Sequence, residues 1–274
     1  MTVIDVNKVI TNTFNSSKYM KKSLFKQLLK SIFLGIVLLL SSGPGYSACE
    51  DAPVPNVNWA KCDLSGKSFK NKDLTGAVMA GAILDNTDFT GAILINADLN
   101  FASLVNARFD KARMTDARLV AVQAEGASFK GAHLENTRLS RAHLEKTIFT
   151  SVRADRANFY DAKLSSADFS DSLMNKATFE RSDLTRAILS RATMHEVSFK
   201  SARLHNTLFT GADMHKSVLD EADCLDADFS EADLSKASFR EAEIEESIFT
   251  GAKLKDTIWS NYKRCRASSI GECQ

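Results

Sequence analysis

Three histidines are the most chemically suggestive side chains of this 274-residue chain, because they recur ten residues apart. They are His195, His205 and His215. Imidazole groups at a fixed spacing can share a metal ion or respond to pH near neutrality. A metal site needs a third ligand in a fixed place, however, and Glu196 and Asp213 are only neighbours in sequence. We therefore expect solvated histidines and predict neither a metal nor a cofactor.

Recognisable catalytic motifs are absent from the sequence. The chain contains no nucleophile elbow, no phosphate-binding glycine loop, and no CxxC or HExxH motif. No catalytic residue can be named, and we predict that the protein is not an enzyme.

The apolar residues that must position these side chains follow a five-residue period. Every fifth residue from Leu64 to Trp259 is apolar, and the residue two places earlier is almost always Ala, Ser, Thr or Val. Lys67 and Lys72 are the large polar exceptions. A period of five suits neither an α-helix nor a long strand. It predicts a three-residue extended segment and a two-residue corner, with both restricted positions facing inward. The glycines between Gly66 and Gly251 all lie two residues after a centre, where a positive φ costs them least.

Several units carry a recognisable motif, such as Ala-Asp-Leu-Asn-Phe at 97–101 and Ala-Asp-Phe-Ser-Asp at 167–171. They resemble the pentapeptide-repeat family over about 200 residues. The resemblance implies an all-β fold, a right-handed quadrilateral β-helix with four units, or 20 residues, in each coil. Forty units then correspond to about ten coils.

Aromatic residues give an independent indication of the 20-residue coil. Phenylalanine recurs every 20 residues in one column that only Leu189 interrupts, whereas the column from Met79 has fewer. Trp59 and Trp259 lie 200 residues apart and should close one column at opposite ends. The predicted structural core comprises these two tryptophans and Phe69, Phe89, Phe109, Phe129, Phe149, Phe169, Phe209, Phe229 and Phe249.

The N-terminal residues are typical of a secretory signal peptide. Four lysines between Lys21 and Lys30 precede an apolar run at 32–40 and a segment of small residues that ends at Ala48. Translation could begin at Met1 or at Met20. We predict export to the periplasm or the cell exterior of a bacterium. Membrane contact would then require a retained signal segment or lipidation of Cys49.

Four of the five cysteines lie near the ends of the repeat. We divide the chain into an extension with signal peptide (1–48), an N-terminal cap (49–61), the β-helix (62–259) and a C-terminal cap (260–274). An even number of cysteines outside the repeat of an exported protein indicates disulfides. A ten-coil rod keeps its ends apart, which pairs Cys49 with Cys62 and Cys265 with Cys273. Cys224 occupies a repeat centre as a small buried residue. Caps over both coil edges favour a monomer.

Charge is distributed unevenly along the repeat. Residues 101–203 hold 17 Lys or Arg against 12 Asp or Glu, whereas residues 213–246 hold 12 acidic residues against three basic ones. The acidic stretch is a possible interaction surface. Its candidate residues are Asp220, Glu221, Asp223, Asp226, Asp228, Glu231, Glu241, Glu243, Glu245 and Glu246. Ile148, Ile188, Leu208 and Ile248 also face outward, as a broken apolar strip.

These features favour an exported, non-catalytic scaffold whose outer surface binds a protein partner. The resemblance also suggests an alternative, because some pentapeptide-repeat proteins mimic DNA and regulate or protect DNA gyrase or another topoisomerase. The basic middle of the repeat and the signal peptide argue against that alternative. Nucleic acid is disfavoured too, since the outer surface offers few aromatic residues on which bases could stack. An envelope spacer without a specific ligand is a third possibility.

Overall fold

The computed structural model describes residues 49–274. The predicted signal peptide and N-terminal extension lie outside these residues. Residues 49–274 contain no helix, and so no helix there that could cross a membrane. Their extended segments are single-residue β-bridges, five residues apart from Asn58 to Ile258.

Every bridge between Asn58 and Ile258 is parallel and joins two residues 20 apart in sequence. The chain therefore forms a β-helix, as the sequence predicts, and returns to the same position after each 20-residue coil. The repeat centres fall into four columns. We call them column A (Phe69 to Phe249), column B (Leu74 to Leu254), column C (Trp59 to Trp259) and column D (Leu64 to Ile244), each with a member every 20 residues.

The repeat geometry begins earlier than the predicted boundary at residue 62. The N–H of Trp59 donates to the carbonyl of Val78 at 2.7 Å, as later centres do towards their next coil. Asn58 bridges Val78, and Asn56 already has the φ of a corner residue. The unit around Trp59 therefore belongs to the first coil.

Backbone hydrogen bonds explain why units of five residues stack. The N–H of a centre and the N–H two residues later donate to the next coil, as in Leu94 to Arg113 (2.7 Å). The N–H before the centre donates to the previous coil, and the N–H three residues after the centre closes the corner, as in Ala97 to Leu94 (3.0 Å). Four of five N–H groups are thus satisfied by backbone carbonyls.

The fifth N–H, directly after the centre, is satisfied by Asp or Asn side chains in many units. Asp73 Oδ1 accepts from the N–H of Thr75 at 3.0 Å. Elsewhere the acceptor comes from the previous coil, as where Asp85 Oδ1 accepts from the N–H of Val105 at 2.9 Å. Outward Asp and Asn residues therefore complete the backbone hydrogen bonding of the repeat.

The core consists of the centres and the residues two places before them, and nearly all of these are buried. Stacked phenylalanine rings fill column A, with centroids 4.5 Å apart for Phe149 and Phe169. Trp59 packs on Phe69 and Trp259 on Phe249, at 4.8 and 4.9 Å. Buried hydroxyls donate to carbonyls 23 residues earlier, as Thr87 does to Leu64.

The two ends carry disulfides, Cys49 to Cys62 with an S–S distance of 2.03 Å and Cys265 to Cys273 with 2.08 Å. Cys224 is free and buried, and burial raises the pKa of its thiol. After Trp259 the chain turns back and pairs antiparallel with the last coil, Arg264 with Ile258 and Ile270 with Lys253. The C-terminal cap therefore covers columns C and B. The sequence predicts a cap over this coil edge, and the segment covers two of its four columns, because it forms only two bridges with the last coil.

Candidate interaction surface

His195 and His205 lie on the surface and pair with carboxylates, whereas His215 forms no ion pair among the described residues. His195 Nε2 lies 2.6 Å from Asp213 Oδ2, and its ring centroid lies 6.0 Å from that of His215. His205 pairs in the same way with Asp223. Within residues 49–274, no group of three His, Cys, Asp or Glu side chains is arranged to hold a metal ion.

About half of the basic residues in the middle of the repeat, nine of the 17 in 101–203, form ion pairs between consecutive coils. Arg191 makes two contacts with Asp171, at 2.7 and 2.8 Å. Arg203 Nη1 lies 3.1 Å from Asp183, a second pair of residues 20 apart. Exposed pairs of this kind contribute little to stability individually. Their effect here is to neutralise part of the positive charge that could otherwise attract a binding partner.

Two depressions lie between coils in the middle of the repeat. One is lined by polar and charged side chains that include Arg141, Lys163, Asp183 and Arg203. The second is lined by six polar or charged residues from three consecutive coils: Glu135, Asn136, Asp155, Arg156, Asn175 and Lys176. Neither depression is an apolar cleft of the kind that usually binds small molecules.

The ten candidate acidic residues occupy three places near the C-terminal end. Asp228 and Glu231 lie in column A, whereas Asp220, Glu221 and Glu241 lie at the corner between columns C and D. The remaining five lie in the last two coils of column D. We call them the acidic patch: Asp223, Asp226, Glu243, Glu245 and Glu246.

Several candidates outside the acidic patch have structural roles that sequence reasoning missed. Asp220 Oδ1 accepts from the N–H of Arg240 at 3.1 Å. Asp228 accepts from the N–H of Ser230 at 2.8 Å. Burial raises the pKa of Asp228, but hydrogen bonds from Ser230 and Thr210 bring that pKa below its ordinary value. Recurrence of Asp directly before repeat centres, as at Asp228, is the sequence signal that could have revealed the role of that residue; Asp220 follows a centre and gives no such signal.

Two further candidates are engaged in side-chain pairs. Glu221 lies 3.1 Å from Lys200 Nζ, and hydrogen bonds from Lys200 and Ser201 lower the pKa of its carboxyl. Glu241 accepts a hydrogen bond from the hydroxyl of Tyr262 in the C-terminal cap.

The acidic patch differs because most of its carboxylates lack a partner. Asp226, Glu243, Glu245 and Glu246 have no side-chain hydrogen bond or ion pair with any residue in 49–274, and Asp223 pairs only with His205 and weakly with a backbone N–H. Consecutive coils place Glu243 beside Asp223 and Glu246 beside Asp226, roughly 4.8 Å apart along the backbone. Like charges directly opposite each other are destabilising. This patch is therefore a cluster of uncompensated negative charge at the C-terminal end of the repeat.

Comparison with known proteins agrees with the repeat geometry. A sequence model described as a pentapeptide repeat region matches residues 122–194. A second, described as pentapeptide repeats (8 copies), matches residues 56–91, 92–131, 198–235 and 222–258. No curated protein matches the chain significantly.

Solved structures that are similar to the chain are also repeat proteins. HetL from the cyanobacterium Nostoc sp. strain PCC 7120, involved in heterocyst differentiation regulation, is 25% identical, with 79% of this chain and 95% of HetL covered and a TM-score of 0.45. QnrB1, a plasmid-mediated fluoroquinolone resistance protein, is 17% identical, with coverages of 68% and 81% and a TM-score of 0.44. A pentapeptide repeat protein from the Arabidopsis thaliana thylakoid lumen is 24% identical, with coverages of 53% and 78% and a TM-score of 0.22. Because the two family models together span most of residues 56–258 in the register of the bridges, the chain belongs to the pentapeptide repeat family.

Proposed function

We propose that this protein is an exported, non-catalytic repeat scaffold whose outer surface binds a protein partner in the periplasm or outside the cell. The acidic patch is the observation that carries the proposal. Elsewhere many carboxylates pair with a base one coil away or accept a backbone N–H, whereas this patch stacks like charges without compensation. Such an arrangement costs stability, and a basic partner would offset that cost.

The remaining elements of the proposal rest on sequence and fold. The signal peptide and the two cysteine pairs at the ends of the repeat support an oxidising compartment. We propose a right-handed quadrilateral β-helix of about ten coils, which would present its polar outer surface and no deep cleft.

Site-specific crosslinking tests the function. A photo-crosslinking residue replaces Glu245 in the full-length chain, expressed in its native cell. Glu145 is the matched control, because it lies in column D five coils earlier. We expect a specific protein crosslinked from position 245 and not from 145, and we expect Asp226→Asn, Glu243→Gln and Glu246→Gln together to abolish it. Equal labelling from both positions, or none, would contradict the proposal.

The same experiment separates the alternative from the proposal. A regulator or protector of DNA gyrase would be recovered in the cytoplasmic fraction, crosslinked to a topoisomerase subunit. The charge distribution disfavours this outcome, because the acidic patch is confined to two coils while the middle of the repeat is basic. An exported protein should instead appear in the envelope or the medium.

A further inference from the structure

The C-terminal end of the β-helix is closed over only half of its area. In columns B and C, the cap satisfies the centre N–H groups: Leu254 donates to Ser269 at 3.0 Å, and Trp259 donates to Lys263 at 2.7 Å. In columns D and A, the last bridge residues are Glu243 and Ile248. Each is bridged to the preceding coil alone among residues 49–274.

Backbone groups along this half of the end have no hydrogen-bond partner in the described part of the chain. They are the N–H groups of Ile244, Glu246 and Phe249 and the carbonyls of Ala242 and Ser247. One coil earlier, every corresponding group is bonded. Cys224 donates to Glu243 at 2.8 Å, for example, and Phe229 donates to Ile248 at 2.8 Å. We call residues 242–249 the open edge.

The open edge also exposes a repeat centre, a position that the repeat buries elsewhere in the same column. Ile244 is partly exposed, whereas the other centres of column D, from Leu64 to Cys224, are buried. Ile248 is 49% exposed beside it. An edge with unpaired N–H and C=O groups over apolar side chains is a template for an added strand.

The charge around the open edge indicates which strand fits. Glu243, Glu245 and Glu246 lie within the edge itself, and Asp226 lies one coil above Glu246. Two open edges from two copies of the chain would bring these carboxylates against each other, which disfavours self-pairing. A strand with basic side chains would instead neutralise them.

From this geometry we propose that the open edge binds an extended, basic segment of a partner protein by β-strand addition. In columns D and A, the segment pairs with the last coil as the cap does in columns B and C. Its carbonyls accept hydrogen bonds from the free N–H groups of the edge, and its N–H groups donate to the free carbonyls. The segment bends at the corner between the two columns, as the cap does between Arg264 and Ile270. One of its side chains covers Ile244, another packs beside Ile248, and its lysines or arginines contact the glutamates. This inference rests on the proposed function and specifies how the partner binds.

Two synthetic peptides test the inference on the full-length protein. The first alternates Lys and Val over eight residues and can pair as a strand. The second alternates Lys and Pro, carries the same charge and lacks half of the N–H donors. Hydrogen exchange is followed at the amides of Ile244, Glu246 and Phe249. We expect the Lys-Val peptide to slow exchange at these three amides and the Lys-Pro peptide to leave it unchanged.

Substitution of an edge residue provides the second measurement. Ile248→Lys places a positive charge on the edge and should weaken Lys-Val binding by about tenfold or more. Ile148→Lys is the matched control, because Ile148 lies at the same position of column A, is 41% exposed, and is bridged on both sides. Binding to this variant should equal that of the unsubstituted protein.

Three outcomes would overturn strand addition. If both peptides bind without slowing exchange, the acidic patch attracts charge but the edge accepts no strand, and the proposed function survives. If exchange slows as protein concentration rises without peptide, the edge pairs with a second copy. If a saturating concentration of the Lys-Val peptide leaves the three amides unprotected and both lysine variants behave alike, the edge is not a binding site.

Discussion

The residue two places after each centre adopts a conformation that most side chains avoid. Every such residue from Asn56 to Asp256 has a positive φ, including Phe101 at 61° and Ala121 at 55°. Glycine at some of these positions led the sequence analysis to predict a positive φ there, and the structure confirms it. The conformation extends to Asn, Asp, Lys, Arg, Glu, Ser, Ala and Phe at the other corners, because the corner and inter-coil hydrogen bonds leave the backbone no alternative.

Ala121→Gly should therefore stabilise the protein. Relief of the left-handed strain outweighs the added entropy of the unfolded chain, for a net gain of about 0.5–1 kcal/mol in the free energy of unfolding. Ala80→Gly is the control, since Ala80 precedes a corner glycine and does not have a positive φ. That substitution should destabilise by a similar amount. Urea denaturation measures both, and the same sign for the two would contradict the corner assignment.

At the scale of structural elements, the phenylalanine stack of column A holds consecutive coils in register. The ring of Phe149 lies between those of Phe129 and Phe169, at centroid distances of 5.0 and 4.5 Å, and meets Phe159 edge-on. Aromatic pairs of this geometry add about 0.5–1.5 kcal/mol to the effect of burial.

Phe149→Asp should prevent folding, because it buries an unpaired carboxylate between two rings. Phe149→Leu should fold with reduced stability, since Leu189 already occupies the same position of column A. Arg141→Ala, at an exposed corner, should leave the melting temperature nearly unchanged. Circular dichroism melting curves compare the three. Equal melting temperatures would contradict the assignment of inward and outward positions.

The sequence predicted these elements well because buried positions restrict which residue types can occupy them. Nearly every inward position holds an apolar or small side chain, so the five-residue period and the column of Phe69 can be recognised directly. Lys67 and Lys72, which the period predicts to face inward, are exposed. The role of outward Asp residues was missed because a hydrogen bond such as that of Asp73 with Thr75 constrains one position and leaves its neighbours variable. The half-covered end was missed because the path of residues 260–274 depends on tertiary pairing with Lys253 and Ile258.

At the scale of the whole molecule, the same Asp residues make stability depend on acid pH. Hydrogen bonds from Thr75 lower the pKa of Asp73. Burial raises the pKa of Asp233, but hydrogen bonds from Ser235 and the charge of Lys253 bring it below its ordinary value. A carboxyl with a depressed folded pKa contributes stability above its unfolded pKa of about 3.9, and this stability is lost as pH falls through the folded value.

We therefore expect these carboxylates to contribute constant stability from pH 5 upward and less below about pH 4. Asp73→Asn, Asp228→Asn and Asp233→Asn together should reduce the loss between pH 6 and pH 3. The amide oxygen can accept the same hydrogen bond, as it does at Asn58 and Asn158, but it does not titrate in this range. Denaturant unfolding at the two pH values measures the difference. An unchanged loss in the variant would assign the acid sensitivity to other groups.

The constant offset of 20 residues between bridged positions limits how the gene can change in length. Removal of five residues would rotate every later unit by one column and place phenylalanines against leucine positions, whereas removal of 20 would leave each column continuous. Because each coil contacts only its neighbours, folding can start in any coil and spread in both directions. Duplication or loss of a whole coil is thus the smallest insertion or deletion within the repeat that preserves the core.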